Sequence, residues 1–185
     1  MEYLNSFKWH FQTNEMSKAR RPEDCTLYVA SPYGFSEAGR DFYYGKFLPT
    51  IKKHGFQILD PWKLTPQELI SPVLRMPLGQ ERQMAHRAVN FQIGGNNEAA
   101  IRKCNGIVAV LDGSEVDGGV ASEIGFGYGL RKAVLGYRND FRLASENIGA
   151  EVNIQVEHFI IRSGGLIAKS LDEFDRLLIP TFVQV

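Results

Sequence analysis

An apolar run, Gly106-Ile107-Val108-Ala109-Val110-Leu111, ends abruptly at Asp112-Gly113 and constrains the fold more than any other stretch of the chain. A short, continuous apolar run bounded by turn residues is typical of a strand buried on both faces. Three further segments are short, apolar and bounded by turn residues: 26–30, 56–59 and 133–137. Because helical patterns at 37–53, 80–103 and 120–131 separate these strands, the sequence predicts an α/β fold with a Rossmann-like parallel sheet flanked by helices.

Prolines and glycines are expected to kink, weaken or interrupt several of these helices. We expect Pro49 to kink or interrupt the first helix, and Gly94-Gly95 to weaken or break the second. Segment 63–79 carries three prolines and is predicted to be a loop or short helices on the rim. Near the C-terminus, Ser170-Leu171-Asp172-Glu173 has the spacing of a capping box, which predicts a last helix that runs to Leu178.

Length and composition limit the classes of protein to which the chain can belong. Its 185 residues are best interpreted as one domain, residues 25–185, preceded by a polar N-terminal extension, residues 1–24. Because 21 basic and 21 acidic residues cancel, we expect no nucleic acid or membrane surface as partner and favour a small polar or neutral ligand. Two cysteines without metal-site spacing, no signal-peptide pattern and no apolar stretch near ~20 residues predict a cytoplasmic protein without a membrane span.

Motifs for common cofactors and metals are missing from the sequence. It contains neither the GxGxxG dinucleotide motif nor a P-loop lysine motif, and it has no HExxH zinc motif and no GxSxG elbow. The four histidines are dispersed along the chain. We therefore expect no metal, no cofactor and no catalytic triad.

Acidic residues gather where the third strand ends, at an edge of the sheet where ligands bind in parallel α/β folds. Glu123 is expected in the first turn of the following helix, where free N–H groups and the helix dipole would keep its carboxylate ionised and able to act as a nucleophile. Acids are also frequent in first turns because they complement the dipole, and spacing alone favours that explanation. Asp112 and Asp117 can likewise serve only to bind backbone N–H groups in the loop, the interpretation we keep for Asp112.

Glycines flank Glu123 on both sides. Gly118 and Gly119 remove side chains where a substrate would have to approach. Gly125, Gly127 and Gly129 are expected to let the helix lie close to the sheet.

Five blocks of sequence, in order and at compatible spacing, carry a family resemblance. They are residues 27–33, Asn97 with Ile101 and Cys104, residues 108–113, residues 117–125, and Asn153. Together they resemble the nucleoside 2-deoxyribosyltransferase family over about residues 26–178. The resemblance implies a flavodoxin-like or Rossmann-like sheet. It also implies an enzyme that cleaves the N-glycosidic bond of 2'-deoxynucleosides through a covalent glycosyl-enzyme and transfers the sugar to another nucleobase.

The resemblance implies a role for each matching residue. Glu123 corresponds to the nucleophile, Tyr28 to the tyrosine whose hydroxyl contacts that carboxylate, and Asp117 to the acid that holds the sugar hydroxyls. Asn97 falls near a position where relatives carry an Asp or Asn facing the base and leaving group. Asn153 is similar to an asparagine that reaches the sugar in the neighbouring subunit's site, which implies at least a homodimer. It can equally cap a helix that starts at the next residue.

Physical chemistry is consistent with these implied roles. Transfer with retained configuration needs a carboxylate beneath the anomeric carbon, and Tyr28 can hold one oxygen of Glu123, although the same tyrosine could simply be buried in an apolar strand. Asp117 would accept hydrogen bonds from sugar hydroxyls and repel a 5'-phosphate, which favours nucleosides. Relatives that hydrolyse nucleoside monophosphates tend to carry a hydroxyl residue there. Hydrolysis of nucleosides or their monophosphates is therefore the alternative function, and a non-catalytic nucleoside-binding module is the second alternative.

Further substrate contacts are expected at neighbouring strand ends. Asp60 and Trp62 lie where a carboxylate and an aromatic ring could hold the base, and plain packing is an equally weighted explanation. Ser31 and Gly119 belong to the matching blocks and complete the expected substrate-binding set. The expected partners are a deoxynucleoside and a free nucleobase.

Overall fold

A parallel sheet of five strands forms the centre of the molecule, in the order β2-β1-β3-β4-β5. The computed structural model describes residues 21–143 and 147–183. The strands are β1 Thr26–Ala30, β2 Gln57–Leu59, β3 Gly106–Val110, β4 Ala133–Tyr137 and β5 Ile167–Ala168. Tyr28 of β1 lies opposite Leu59 of β2 and Ile107 of β3, so the centre of β1 is flanked on both sides. The predicted single-domain α/β fold is confirmed.

Helices cover both faces of this sheet. They are α1 Glu37–Phe42, α2 Leu48–Lys52, α3 Pro61–Leu64, α4 Gln67–Arg75, α5 Gln80–Lys103, α6 Gly118–Gly129, α7 Ile154–Arg162 and α8 Leu171–Phe182. No helix of the described residues is both long enough and apolar enough to cross a membrane. Of the N-terminal extension only residues 21–24 are described, and they include a short 3-10 turn at Pro22–Asp24.

The alternation of side chains along β1 divides the core into two layers. Leu27 and Val29 face a cluster with Tyr43, Phe47 and Phe174, which come from the helical segments on one side of the sheet. Tyr28 and Ala30 face the other cluster, whose buried members include Ile101, Val120, Ile124 and Ile160 of α5, α6 and α7. Every residue of β3 is buried, as its continuous apolar run predicts. The second layer carries the site described below.

Neither of the two positions where a helix break was expected shows a simple break. The predicted break at Gly94-Gly95 was wrong, because α5 continues through both glycines without interruption, and the expected weakening of the helix there stays a prediction. Half-buried or buried side chains recur at helical spacing beyond them and dock this part of α5 on the protein: Asn96, Asn97, Ala100 and Ile101. Ahead of Pro49 the chain widens into a π-helical segment, Tyr43–Phe47, in which the Leu48 N–H donates to the Tyr43 carbonyl. Since proline has no N–H to donate, this wider turn lets the helical path continue.

The C-terminal part of the chain contains elements that the sequence patterns did not reveal. The two-residue strand β5 was missed because it is too short to show a pattern. Of helix α7, only the start was anticipated, as the helix that Asn153 could cap. Helix α8 begins as predicted, with Ser170 Oγ accepting from the Glu173 N–H at 3.1 Å, but it extends to Phe182. The Glu173 carboxylate accepts from the Lys169 N–H at 2.7 Å, so the reciprocal half of the capping box falls one residue earlier.

Only one of the three later glycines of α6 brings the helix close to the sheet. A Cβ at Gly127 would lie 2.1 Å from Ile107 Cδ1, whereas one at Gly129 would meet nothing within 4 Å, and one at Gly125 would meet Phe159 of α7 at 3.4 Å. The expectation is therefore confirmed for Gly127 and wrong for the other two. A side chain at position 127 would clash with the end of the buried Ile107 side chain of β3, which would have to shift.

This contrast predicts opposite effects of two glycine replacements. Gly127→Ala should lower the free energy of unfolding by about 1–3 kcal/mol, because the added methyl overpacks the core. Gly95→Ala should raise it by about 0.8–1 kcal/mol, because alanine favours a helix and a Cβ there meets nothing within 4 Å. Urea denaturation of both variants measures the two changes, and equal signs would contradict the packing described.

Candidate active site

Glu123 lies in the second turn of α6, not in the first. The helix begins at Gly118 with Asp117 as its N-cap, and no acid occupies its first turn. The predicted start at Val120 was two residues late, which is why the expectation of a first-turn carboxylate was wrong. The helix places Glu123 beside Tyr28, the central residue of β1.

Two side chains hold one oxygen of the Glu123 carboxylate. The Tyr28 hydroxyl donates to Oε1 at 2.6 Å, and the Asn97 amide Nδ2 lies 3.4 Å from the same atom. No residue in the described part of the chain donates to Oε2 or forms an ion pair with this carboxylate. One oxygen is thus fixed, while the other is left available to a ligand.

Burial has the largest effect on the pKa of Glu123 and raises it. Desolvation raises the pKa of its carboxyl above the ordinary value, the charge of Asp117 raises it further, and the hydrogen bond from Tyr28 opposes this. The expectation that the helix dipole keeps the group readily ionised was wrong, because Glu123 stands a full turn away from the free N–H groups. Burial and the adjacent carboxylate also raise the pKa of Tyr28, so its hydroxyl keeps its proton and remains a donor.

A stability difference that depends on pH follows from the raised pKa of Glu123. The folded chain holds this proton at pH values where the unfolded chain has already lost it, so stability falls as the pH rises through that window. Glu123→Gln removes the charge but keeps an oxygen to accept from Tyr28. We expect this variant to unfold at a higher temperature than the original protein at neutral pH. The difference should vanish below about pH 4, where the glutamate is protonated in both states. Thermal unfolding across pH measures it, and a variant that is less stable at neutral pH would contradict the account.

Asp117 both caps α6 and keeps one oxygen free. Its Oδ1 accepts from the Gly119 N–H at 2.9 Å and the Val120 N–H at 3.1 Å, which is the loop-closing role considered as the alternative. Its Oδ2 accepts no hydrogen bond from the described residues. Gly118 has open space where a side chain would stand. Only one Asp117 oxygen, Oδ2, is therefore available to a ligand.

Other expected site residues serve the protein interior. Asp60 is 8% exposed and accepts from the Tyr43 and Tyr44 hydroxyls and from the Trp62 N–H, each at 3.1 Å. The Trp62 indole donates to the Ser31 carbonyl at 3.1 Å, and Ser31 Oγ accepts from the Tyr33 N–H at 3.2 Å. These contacts favour packing over base binding for Asp60 and Trp62. Gly119 contributes its N–H to the α6 cap.

A buried arginine organises the ends of β3 and β4, and the sequence patterns did not single it out. Arg138 is 2% exposed, and its guanidinium donates to the carbonyls of Leu111, Gly113 and Arg142. Asp112, which lies between Leu111 and Gly113 in the chain, accepts from the Tyr33 hydroxyl at 2.5 Å and from the backbone N–H groups of the two residues that follow Arg138. The backbone role kept for Asp112 is confirmed. The position of Arg138 directly after an apolar strand was the available signal, since a charge there must find partners.

Asn153 caps α7 and borders a large groove. Its Oδ1 accepts from the Gln155 N–H at 3.0 Å and the Val156 N–H at 3.4 Å, so the capping alternative is confirmed. The groove has a volume of about 860 Å³ and is lined by residues of α6, of α7 and of the loops that precede them, among them Ser122 and Asn153 but not Glu123. Asn153 makes no hydrogen bond to Glu123 of its own chain. The described residues contain no cluster of His, Cys, Asp or Glu that could hold a metal ion.

Comparison with solved structures identifies proteins of the same fold. A 2-desoxiribosyltransferase from Leishmania mexicana is 24% identical with a TM-score of 0.56, and the match covers 83% of this chain and 97% of that protein. A conserved protein from Enterococcus faecalis is 18% identical with a TM-score of 0.55, covering 84% and 98%. A 2-deoxyribosyltransferase from Bacillus psychrosaccharolyticus is 16% identical with a TM-score of 0.53, covering 81% and 90%.

The sequence itself identifies the family. A search of curated proteins finds no match. The sequence model of the nucleoside 2-deoxyribosyltransferase family matches residues 27–161, which include Tyr28, Asn97, Asp117, Glu123 and Asn153. With most of the chain matched and the paired tyrosine and glutamate in contact, this protein belongs to the nucleoside 2-deoxyribosyltransferase family.

Proposed function

We propose that this protein cleaves the N-glycosidic bond of 2'-deoxynucleosides through a deoxyribosyl ester on Glu123 and transfers the sugar to another nucleobase. The observation that carries the proposal is the state of the Glu123 carboxylate: Tyr28 and Asn97 hold Oε1, and nothing described holds Oε2. The Glu123 side chain is half-buried, and Oε2 is not among the buried polar atoms of the described residues, so this oxygen is open to a ligand while Oε1 is held. Family membership supplies the sugar chemistry that this geometry can perform.

In the first half of the reaction, Glu123 Oε2 attacks the anomeric carbon as the bond to the base breaks. Positive charge develops on the sugar ring, and the negative carboxylate beneath it stabilises that charge. Tyr28 fixes the carboxylate through Oε1, so the attacking oxygen needs little reorientation. In the second half, an incoming base attacks the same carbon from the opposite face, which releases Glu123 and restores the original configuration.

Asp117 favours a nucleoside over a nucleotide as the substrate. Its free Oδ2 can accept a hydrogen bond from a sugar hydroxyl, whereas a 5'-phosphate at that position would face a like charge. Asp117 lies close enough to Glu123 to raise the pKa of that carboxyl. A ligand that contacts both groups must therefore present hydroxyl donors, which an unphosphorylated pentose does.

We also propose that Asn153 completes the site of a neighbouring subunit. Its Nδ2 makes no hydrogen bond within the described residues, and the groove that it borders is lined by neither Glu123 nor Tyr28. Such a site needs at least a dimer. If the purified protein is active and sediments as a monomer at the assay concentration, the assignment of Asn153 to a neighbouring subunit's site is wrong.

Base exchange tests the proposed function directly. The protein is mixed with a 2'-deoxynucleoside and a second free nucleobase, and the products are separated by chromatography. The proposal expects the exchanged deoxynucleoside to form. Release of base and free deoxyribose alone would instead indicate that water is the acceptor, and binding without any cleavage would indicate a nucleoside-binding module.

A further inference from the structure

The groups around Glu123 can aim it, but they are poorly suited to give a proton to a departing base. Tyr28 is fully buried, and its hydroxyl hydrogen already lies in the 2.6 Å bond to Oε1. Asn97, the other neighbour, carries an amide, which has no acidic proton. Of the titratable side chains described, Tyr28 and Asp117 are those that act on the ionisation of Glu123.

The remaining candidates for a proton donor are engaged elsewhere. Asp117 Oδ1 accepts from two backbone N–H groups, and its free Oδ2 is the oxygen proposed to accept from a sugar hydroxyl. The Asp60 carboxylate accepts from three protein donors. The described histidines are occupied in other places. His54 contacts Asp175, His86 contacts Arg82, and His158 lies against aromatic rings. None of these imidazoles hydrogen-bonds to Glu123, Asn97 or Tyr28 in the part of the chain that is described.

Asn97 offers hydrogen-bonding capacity of a different kind. Its Oδ1 is the one side-chain nitrogen or oxygen atom, among the described residues, that is buried without a partner. A buried acceptor without a donor costs free energy, so a ligand that supplies an N–H or O–H there is favoured. The side chain beside the nucleophile is thus equipped to receive a hydrogen bond from the substrate, not to transfer a proton to it.

We propose that this site expels the nucleobase without protonating it from a side chain, so that turnover is restricted to nucleosides whose base departs readily. The inference rests on the proposed function. When Oε2 bonds to the anomeric carbon, the electron pair of the broken bond remains on the base nitrogen. The base leaves as an anion, or as the neutral molecule if solvent has protonated it beforehand, and any proton that it still lacks comes from water.

The test is the dependence of the cleavage rate on the acidity of the leaving base. Single-turnover base release is measured for 2'-deoxyuridines with fluoro, hydrogen or methyl at C5, and for a matching set of substituted purine deoxynucleosides. Each is measured at a pH where the rate has reached its plateau. We expect the rate to follow the acidity of the base nitrogen almost in proportion. A side-chain acid would flatten this dependence, since it assists poor leaving groups most.

Two variants at one position separate a chemical role from a structural one. Asn97→Ala should slow every substrate without changing the dependence on base acidity, because no proton donor has been lost. Asn97→Asp introduces a carboxyl group and should favour the poorest leaving group over the best by about 10-fold or more relative to the original protein. The alanine result stands on its own if the aspartate variant does not fold.

The outcomes distinguish this inference from the proposed function. Rates of the original protein that are independent of base acidity, or a dependence that steepens in Asn97→Ala, would overturn the inference and leave the transferase intact. Failure to release base from any nucleoside would overturn the proposed function, and this inference with it.

Discussion

Replacing Glu123 with alanine should reduce base release and sugar transfer by about 10³-fold or more, while nucleoside binding persists. The variant removes the oxygen that would bond to the anomeric carbon, and no carboxylate hydrogen-bonded to Tyr28 remains to replace it. Single-turnover cleavage measures the loss. Ligand-induced change in intrinsic fluorescence or calorimetry measures the binding that remains.

A matched control separates lost chemistry from lost structure. Glu123→Gln keeps the size of the side chain and an acceptor for the Tyr28 hydroxyl, so its fold should be preserved while it is as inactive as the alanine variant. Retention of turnover within about tenfold by either variant would show that the sugar is not carried on this side chain.

Replacing Asp117 with serine should lower kcat/KM for a 2'-deoxynucleoside by about 10- to 150-fold, the equivalent of one hydrogen bond to a charged group, about 1.5–3 kcal/mol. Serine remains a good N-cap for α6, so the helix start is kept while the free oxygen and the charge are removed. The same variant should improve the ratio of activity on the 5'-monophosphate to activity on the nucleoside, because the like charge has gone.

The cap role of Asp117 requires its own control. Asp117→Ala removes the cap as well and should cost about 1 kcal/mol of stability that the serine variant retains. If Asp117→Ser is as active as the original protein on deoxynucleosides, Asp117 serves only as a cap. The assignment of Asp117 to the sugar would then be wrong.

The sequence predicted the fold because each strand of the sheet's centre is buried on both faces. β1, β3 and β4 are apolar along nearly their whole length, and helical periodicity lies between them, so the order of elements could be read directly. Strand β5 could not be predicted, since two residues carry no periodicity. Gly94 and Gly95 misled the prediction because intrinsic propensity is weak, and packing further along α5 overrides it.

Part of the site was accessible from the sequence, and part depended on tertiary structure. The pairing of Tyr28 with Glu123 was expected from the resemblance and is present. The raised pKa of Glu123 was not foreseen, because it depends on how deeply α6 packs against β1 and on a helix start two residues earlier than expected. Two of the three carbonyls that bind Arg138, those of Leu111 and Gly113, lie 27 and 25 residues earlier in the chain, and no spacing in the sequence reports them.

The most direct measurement is mass spectrometry of the protein quenched in acid within its first turnover of a 2'-deoxynucleoside. The account predicts that one deoxyribosyl group is added to the protein, that the peptide containing Glu123 carries it, and that a second nucleobase added before quenching removes it. The Glu123→Gln variant should show no adduct. Base release at full rate with no sugar bound at any time, or with the sugar on another residue, would contradict a covalent role for Glu123.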